Sequence, residues 1–186
     1  MSTSLDPWLR ITPGMADALE KEFHHYVEQM VMRLRTRAAL HAPPVVSFTV
    51  YGKPQPAGSK RAVYKKGMNY ARVIDDNPKA PTWKNAVAQV AGEKMAGLNL
   101  LDGPLAMSLV FYRQRPKGHY LAGGGLNATG RRNPYPTVIP DVSKLTRGVE
   151  DALKGVAYRD DSRLIFTPLL KLYGEPEGAR VTIYEL

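Results

Sequence analysis

The 186-residue sequence contains no cysteine, which excludes disulfides, thiolate metal sites and a cysteine nucleophile. It has no apolar run approaching the roughly 20 residues that a membrane span needs. The opening "MSTSLDPWLRITPG" shows no basic region leading into an apolar core, so no signal peptide is expected. These absences point to a soluble, cytoplasmic protein. The four histidines, His24, His25, His41 and His119, have no zinc-ligand spacing once cysteine is missing. No internal repeat is found. Acids are missing from two long stretches as well. Residues 53–72 carry Lys53, Lys60, Arg61, Lys65, Lys66 and Arg72 without an Asp or Glu. Residues 103–140 carry Arg113, Arg115, Lys117, Arg131 and Arg132, again without an acid.

What is present is a charge imbalance: 26 Lys and Arg against 17 Asp and Glu, a net charge of +9. Residues 1–44 hold five of each sign, so the whole surplus belongs to residues 45–186. Tyr64, Tyr70, Tyr120 and Tyr135 are interleaved with the basic stretches. Cationic loops with aromatic neighbours suit a polyanion, because phosphate contacts supply most non-specific nucleic-acid affinity. The plainer alternative is a basic surface that serves solubility alone. Hydrophobic content of 44% and charged content of 23% are those of a globular protein.

Residues 1–44 read as a helical extension. Thr12 can cap a helix whose first position is Pro13, where a missing N–H costs nothing. Leu19, Phe23, Val27, Met30 and Leu34 then recur at spacings of three and four, an apolar stripe. It can pack on its own domain or on a second subunit. Residues 45–186 form the main domain. "VVSFTVYG" reads as a strand, "KPQPAGSKR" as an extended loop, and Lys79 to Met95 as a helix with Trp83, Val87, Val90 and Ala91 on one face. "GPLAMSLVFYRQR" is a second strand. The 25-residue "PKGHYLAGGGLNATGRRNPYPTVIP" shows no regular pattern, and loops of that length are usually functional or disordered. A short helix over Lys144–Lys154 follows, and "SRLIFTPLLKLYG" and "ARVTIYEL" read as two strands, expected to form a hairpin. The class is α/β (α+β): a small mixed sheet packed with helices.

The acids of the main domain gather in "IPDVSKLTRGVEDALKGVAYRDDSRLIF", residues 139–166, as Asp141, Glu150, Asp151, Asp160 and Asp161. Leu145, Val149, Ala152 and Leu153 share one helical face and are expected to be buried. Ser143 is a candidate N-cap. If the helix docks on the sheet, Asp141 and the Asp160–Asp161 pair converge from its two flanks. Carboxylates assembled in that way repel unless a hard divalent cation compensates them, and such a cation can polarise a water for attack on a phosphodiester. Read singly, an Asp pair before a strand is a solvated turn and a Pro-Asp step a capping device. Together, beside cationic loops, they make the charge layout of a metal-dependent nuclease.

The string "PDVSKLTRGVEDALKGVAYRDDSRL" resembles the signature of the RusA family of Holliday junction resolvases. That signature runs Pro-Asp, an acid followed by Asn-Leu, a basic residue, Asp-Ala-Leu, a Gly-containing turn and Asp-Asp. "FTVYGKPQPAGSKR", "APTWKNAVAQVA" and "GPLAMSLVFYRQRPKGHY" are similar to the family's opening strand and basic loop, its Trp-bearing helix and its next strand. The likeness runs from Val45 to Leu186 and leaves residues 1–44 outside. It implies a homodimeric α/β endonuclease, dependent on Mg²⁺ or Mn²⁺, that cuts four-way DNA junctions by paired symmetric nicks in recombination and repair. Many members are carried by phages or prophages.

Carried over by position, Asp141, Asp160 and Asp161 are the expected metal ligands and catalytic acids, and Arg147 falls where the family has an essential lysine. Two positions depart from the pattern: the family's second acid falls on Ser143, and its Asn on Lys144. Glu150 or Asp151 can reach in to compensate. Arg147 keeps the positive charge but gives up a proton far less readily, which suits stabilising charge on a phosphate. Lys53, Lys60, Arg61, Arg131, Arg132 and Lys144 are the expected contacts to the DNA backbone. Two other readings stay open: a non-catalytic structure-specific DNA-binding protein, and an RNA-associated basic protein.

Overall fold

The computed structural model describes residues 13–35, 43–58, 60–64, 71–75 and 77–186, with side chains described for 16–35, 43–58 and 77–186. In chain order the elements are α1 (Pro13–Leu34), β1 (Val46–Tyr51), β2 (Lys60–Tyr64), β3 (Ala71–Asp75), α2 (Ala80–Lys94) and β4 (Leu105–Arg113). They continue with α3 (Ala128–Arg132), α4 (Val142–Leu153), β5 (Leu164–Phe166), β6 (Leu169–Tyr173) and β7 (Gly178–Glu185). Short 3₁₀ turns stand at Lys117–His119 and Asp161–Arg163.

The sheet is built around β4. Its sequence, "LAMSLVFYR", is apolar almost throughout, the pattern of a strand covered on both faces. On one side β7 pairs with it antiparallel, and β1 extends the sheet beyond β7. On the other side β5 and then β6 pair with β4, both parallel. The strand order is therefore mixed, as expected. The terminal strands do not form the expected hairpin, because β4 lies between β6 and β7. A strand apolar on both faces can be satisfied only in the interior of a sheet, so β4 takes a neighbour on each edge.

Alternate residues of β4 serve two cores. Leu105, Met107, Leu109 and Phe111 belong to the larger one, with Trp83, Val87 and Ala91 of α2 and Leu145, Val149 and Leu153 of α4. On the opposite face Ala106 meets Val27 and Val31 of α1 and Tyr184 of β7. Helix α1 thus packs on its own sheet through Phe23, Val27 and Val31, whereas Leu34 of the expected stripe is exposed. Arg35 ties the end of that helix down by donating to the Glu185 carbonyl at 2.8 Å and lying over the Tyr184 ring. Thr12, the expected cap, lies outside the described residues.

Two other expectations need correction. The basic stretch after β1 is a loop only to about Gly58; Lys60 and Arg61 open the antiparallel hairpin β2–β3, driven by the β-branched residues of "KRAVY" and "ARVID". The 25-residue segment after β4 is not without structure, since it contains the 3₁₀ turn and α3. Asn127 caps α3 by accepting the Gly130 N–H at 2.9 Å. Asn and Gly spaced in that way are a cap signal that the local composition hides.

Helix α4 also begins two residues earlier than the expected Lys144, at Val142, with Asp141 rather than Ser143 in the cap position. Its end falls as expected: Gly155, at φ +75°, adopts a left-handed turn that disfavours side-chain-bearing residues. Leu145 is fully buried and Ser143 exposed. Leu145→Ala should therefore lower the unfolding free energy by about 2–5 kcal/mol in urea titrations. Ser143→Ala should change it by no more than about 0.5 kcal/mol, where loss of a true N-cap would cost about 1 kcal/mol.

Candidate active site

The head of α4 is fastened from three directions. Lys171, a lysine inside apolar β6, donates its Nζ to the carbonyls of Val138 and Pro140, each at 3.0 Å, and so pins the segment that delivers Asp141. Burial lowers the Lys171 pKa, Arg113 adds to this, and Asp141 acts in the opposite direction. The Pro-rich loop lies against the helix: the Ala57 N–H donates to the Lys144 carbonyl at 2.9 Å. A Cβ on Gly148 would come within 3.1 Å of the Gln55 carbonyl, so glycine is what lets the loop approach. Arg113 holds the same loop through the Pro54 carbonyl and pairs with Glu177 at 3.1 Å.

Asp141 itself is extended, at φ −65° and ψ 143°, and its side chain makes no capping bond. Its carboxylate stands 3.4 Å from Lys144 Nζ, and both side chains are more than half exposed. A carboxylate at the positive end of a helix that is not consumed by capping remains available to a ligand.

At the other end of α4, Lys154 collects the Asp pair. Its Nζ pairs with Asp160 Oδ2 and stands 3.5 Å from Asp161 Oδ1. The Lys154 contact and the Ser162 N–H, at 3.1 Å, hold the Asp160 carboxyl well below the usual carboxylate range. Lys154 is raised in turn, chiefly by Asp160. One turn back, Glu150 is half-buried, and burial, then the charges of Asp161 and Asp151, push its pKa up, while Arg147 acts against them. Tyr158, fully buried, donates its hydroxyl to the Glu150 carbonyl at 3.1 Å. Burial, followed by the surrounding acids, keeps that phenol protonated.

The expected convergence of Asp141 with the Asp160–Asp161 pair does not occur within the chain, and the expected residues stand in two groups. Asp160 and Asp161 meet at one positive charge, and Asp141 meets Lys144 at the far end of a 12-residue helix, about 18 Å long at 1.5 Å per residue. Among the described residues no three His, Asp or Glu side chains form a metal-holding group within the chain. Arg147 is exposed between the two ends. Asp151 is engaged by Lys84 of α2 at 2.6 Å and bridges the two helices. Lys53, Arg131 and Arg132 are exposed; the side chains of Lys60 and Arg61 lie outside the described ones. Sequence reasoning missed Lys154 and Lys171. The signal for Lys171 was a lone charge inside "LLKLY"; for Lys154 it was a lysine six residues before an Asp pair, which is too common to be diagnostic.

The sequence model of the endodeoxyribonuclease RusA family matches residues 52–184. The chain belongs to the RusA family. A relative from Bacillus subtilis (strain 168), the uncharacterized protein YqaN, is 31% identical over 141 residues, spanning 76% of this chain and 96% of the relative. RusA membership indicates an endodeoxyribonuclease. The matched region excludes α1. No helix among the described residues is long and apolar enough to cross a membrane.

Asp160 owes its acidity first to Lys154 and then to the Ser162 N–H. Replacing the lysine, as in Lys154→Met, should let the Asp160 carboxyl titrate upward toward the ordinary value of about 3.9. A side-chain NMR titration in EDTA would read this directly. The sign follows from the pairing: the lowered folded-state pKa contributes stability above the unfolded value, and that contribution fades as pH falls toward the folded one.

Proposed function

We propose that this chain is a Mg²⁺-dependent endodeoxyribonuclease, with Mn²⁺ able to substitute. In this reading it resolves Holliday junctions or other branched DNA by paired symmetric nicks. It acts as a homodimer, in the cytoplasm, in recombination and repair, and its setting is that of a phage or prophage gene product. The observation that carries the reading is the shared grip of Asp160 and Asp161 on a single positive charge, at the Asp-Asp position of a RusA chain.

Two carboxylates already turned toward one ammonium have the donor chemistry of a hard cation site, since Mg²⁺ is held by one or two carboxylates plus substrate oxygens. Asp160 and Asp161 would hold the ion, with Asp141 as the third carboxylate. Because Asp141 stands a helix length away in its own chain, the homodimer supplies it from the second copy. When bound, the ion supplies a polarised water for attack on the phosphodiester. Arg147, unable to give up its proton readily, stabilises charge developing on the phosphate. Lys53, Lys60, Arg61, Arg131, Arg132 and Lys144 hold the DNA backbone. Ser143, which brings no carboxylate to the family's second acid position, favours one competing reading: a structure-specific binder that does not cut.

Asp161→Asn should reduce nicking of a synthetic four-way junction in Mg²⁺ by about 10³-fold, the loss expected when a metal ligand worth several kcal/mol is removed. Junction binding in gel shifts should persist or improve as a negative charge near phosphate disappears. Wild-type protein that binds the junction but never nicks it would establish the binding-only reading.

The two-chain origin of the acids has its own test. Asp141→Asn and Asp161→Asn are each expected to be inactive alone, but mixed and allowed to exchange subunits they should recover nicking of one strand. No recovery would place all three acids in a single chain's site.

A further inference from the structure

Beside α1, on the sheet face away from α4, the first turns of that helix, the ends of β1, β4 and β6 and the segment around residues 120–135 enclose a cleft of about 830 Å³. That size lies within the range of small-molecule sites. Five tyrosines line it: Tyr51, Tyr112, Tyr120, Tyr135 and Tyr173. Tyr51, Tyr120 and Tyr135 are 70%, 42% and 39% exposed, so these rings stand at the surface instead of filling a core.

The wall is rigid. Arg115, only 8% exposed, lies 4.1 Å from the centroid of the Tyr173 ring. Its guanidinium donates to the carbonyls of Gly130, Asn133 and Pro134 at 3.1, 2.9 and 3.2 Å. A Cβ on Gly130 would meet the His119 carbonyl at 2.4 Å, so α3 and the 3₁₀ turn are locked together. An immobilised aromatic wall can stack a flat ring without first having to be ordered.

Charge selects what enters. Glu20 and Arg180, both lining the cleft, pair at 2.5 Å and neutralise each other, while Asp17 and Glu175 line it as well. These three carboxylates are matched by Arg115, Arg131 and Arg180, of which Arg115 is engaged by carbonyls and Arg180 by Glu20. With no net positive charge, the lining suits a neutral ring with polar edges better than a phosphate. Arg131 is at the cleft, and Arg132 and Lys117 are exposed on the adjoining turns, where a backbone phosphate is welcome. The cleft is connected to the head of α4 through the chain. Tyr135 of its wall is six residues before Asp141, and Lys171, next to Leu172 and Tyr173 of the wall, holds the carbonyls of Val138 and Pro140.

We propose that this cleft takes an unpaired nucleobase of the DNA strand, stacked among Tyr51, Tyr120 and Tyr135, with the flanking phosphates outside on Arg131, Arg132 and Lys117. The proposal rests on the nuclease reading for its substrate and adds how the protein holds single-stranded DNA at a branch. One wall, formed by Ala16, Asp17, Leu19 and Glu20 of α1, lies outside the residues matched to the family, so the extension contributes one side of the cleft.

Fluorescence anisotropy of the full chain in EDTA would compare labelled octathymidylate with an octamer of the same backbone lacking every base. The base-bearing strand should bind about 10-fold or more tighter, as stacking on aromatic side chains provides. The double variant Tyr120→Ala, Tyr135→Ala should lose that preference and keep its affinity for the abasic strand. The double variant Tyr120→Phe, Tyr135→Phe should retain it, because stacking uses the ring and not the hydroxyl. Equal binding of both strands by the wild type, or a preference that survives the alanine pair, would overturn the proposal. Junction nicking in Mg²⁺, assayed in parallel, separates the two readings. A protein that nicks without base preference loses the cleft alone; one with base preference that never nicks keeps the cleft and loses the nuclease.

Discussion

Leu145, Val149, Ala152 and Leu153 form one stripe of α4, buried in the main core beside the sheet and α2, and their burial dictates where the charged groups of the site can stand. With that stripe facing inward, Lys144 and Arg147 are turned outward, and Asp141 and Lys154 are fixed at the two ends. The Pro-rich loop and Lys171 then close on the head of the helix through backbone contacts. Burying each of Leu145, Val149 and Leu153 contributes roughly 1.5–3 kcal/mol. The exposed ion pairs around them contribute at most about 1 kcal/mol each. Packing, and not charge pairing, therefore positions the site.

That imbalance has a functional use. Lys144 and Lys154 neutralise the aspartates through exposed contacts, weak enough to be exchanged for a stronger counter-charge without disturbing the fold. The carboxylates remain accessible, while residues 53–72 and 103–140 carry cations and no acid. In the proposed reading, acid at the ends of one helix and base elsewhere divide the labour between a cation site and a phosphate-binding surface.

The extension before β1 is integrated into the molecule. Val27 and Val31 cover the β4 face that α2 and α4 leave open, and Glu20 and Arg35 reach β7. Covering that face leaves the tyrosine-lined cleft at one end, so a segment outside the family match helps to shape that cleft.

Much was legible from residue order alone. The 3.6-residue period marked α2 and the buried stripe of α4, an uninterrupted apolar run marked β4, and the Asp, helix, Asp-Asp block marked the family, because each is a local pattern with a single good solution. The pairing of β6 and β7 with opposite edges of β4 was not legible, since strand partners are chosen by burial across the whole sheet. Nor were the roles of Lys154 and Lys171, whose partners are set by how a helix end and a strand come to rest against neighbouring segments. Sequence by itself determined that the acids of the family-like block flank one short helix. Only the tertiary structure decided that a 12-residue helix separates Asp141 from Asp160 and Asp161, because a helix docked along its length holds its two ends apart.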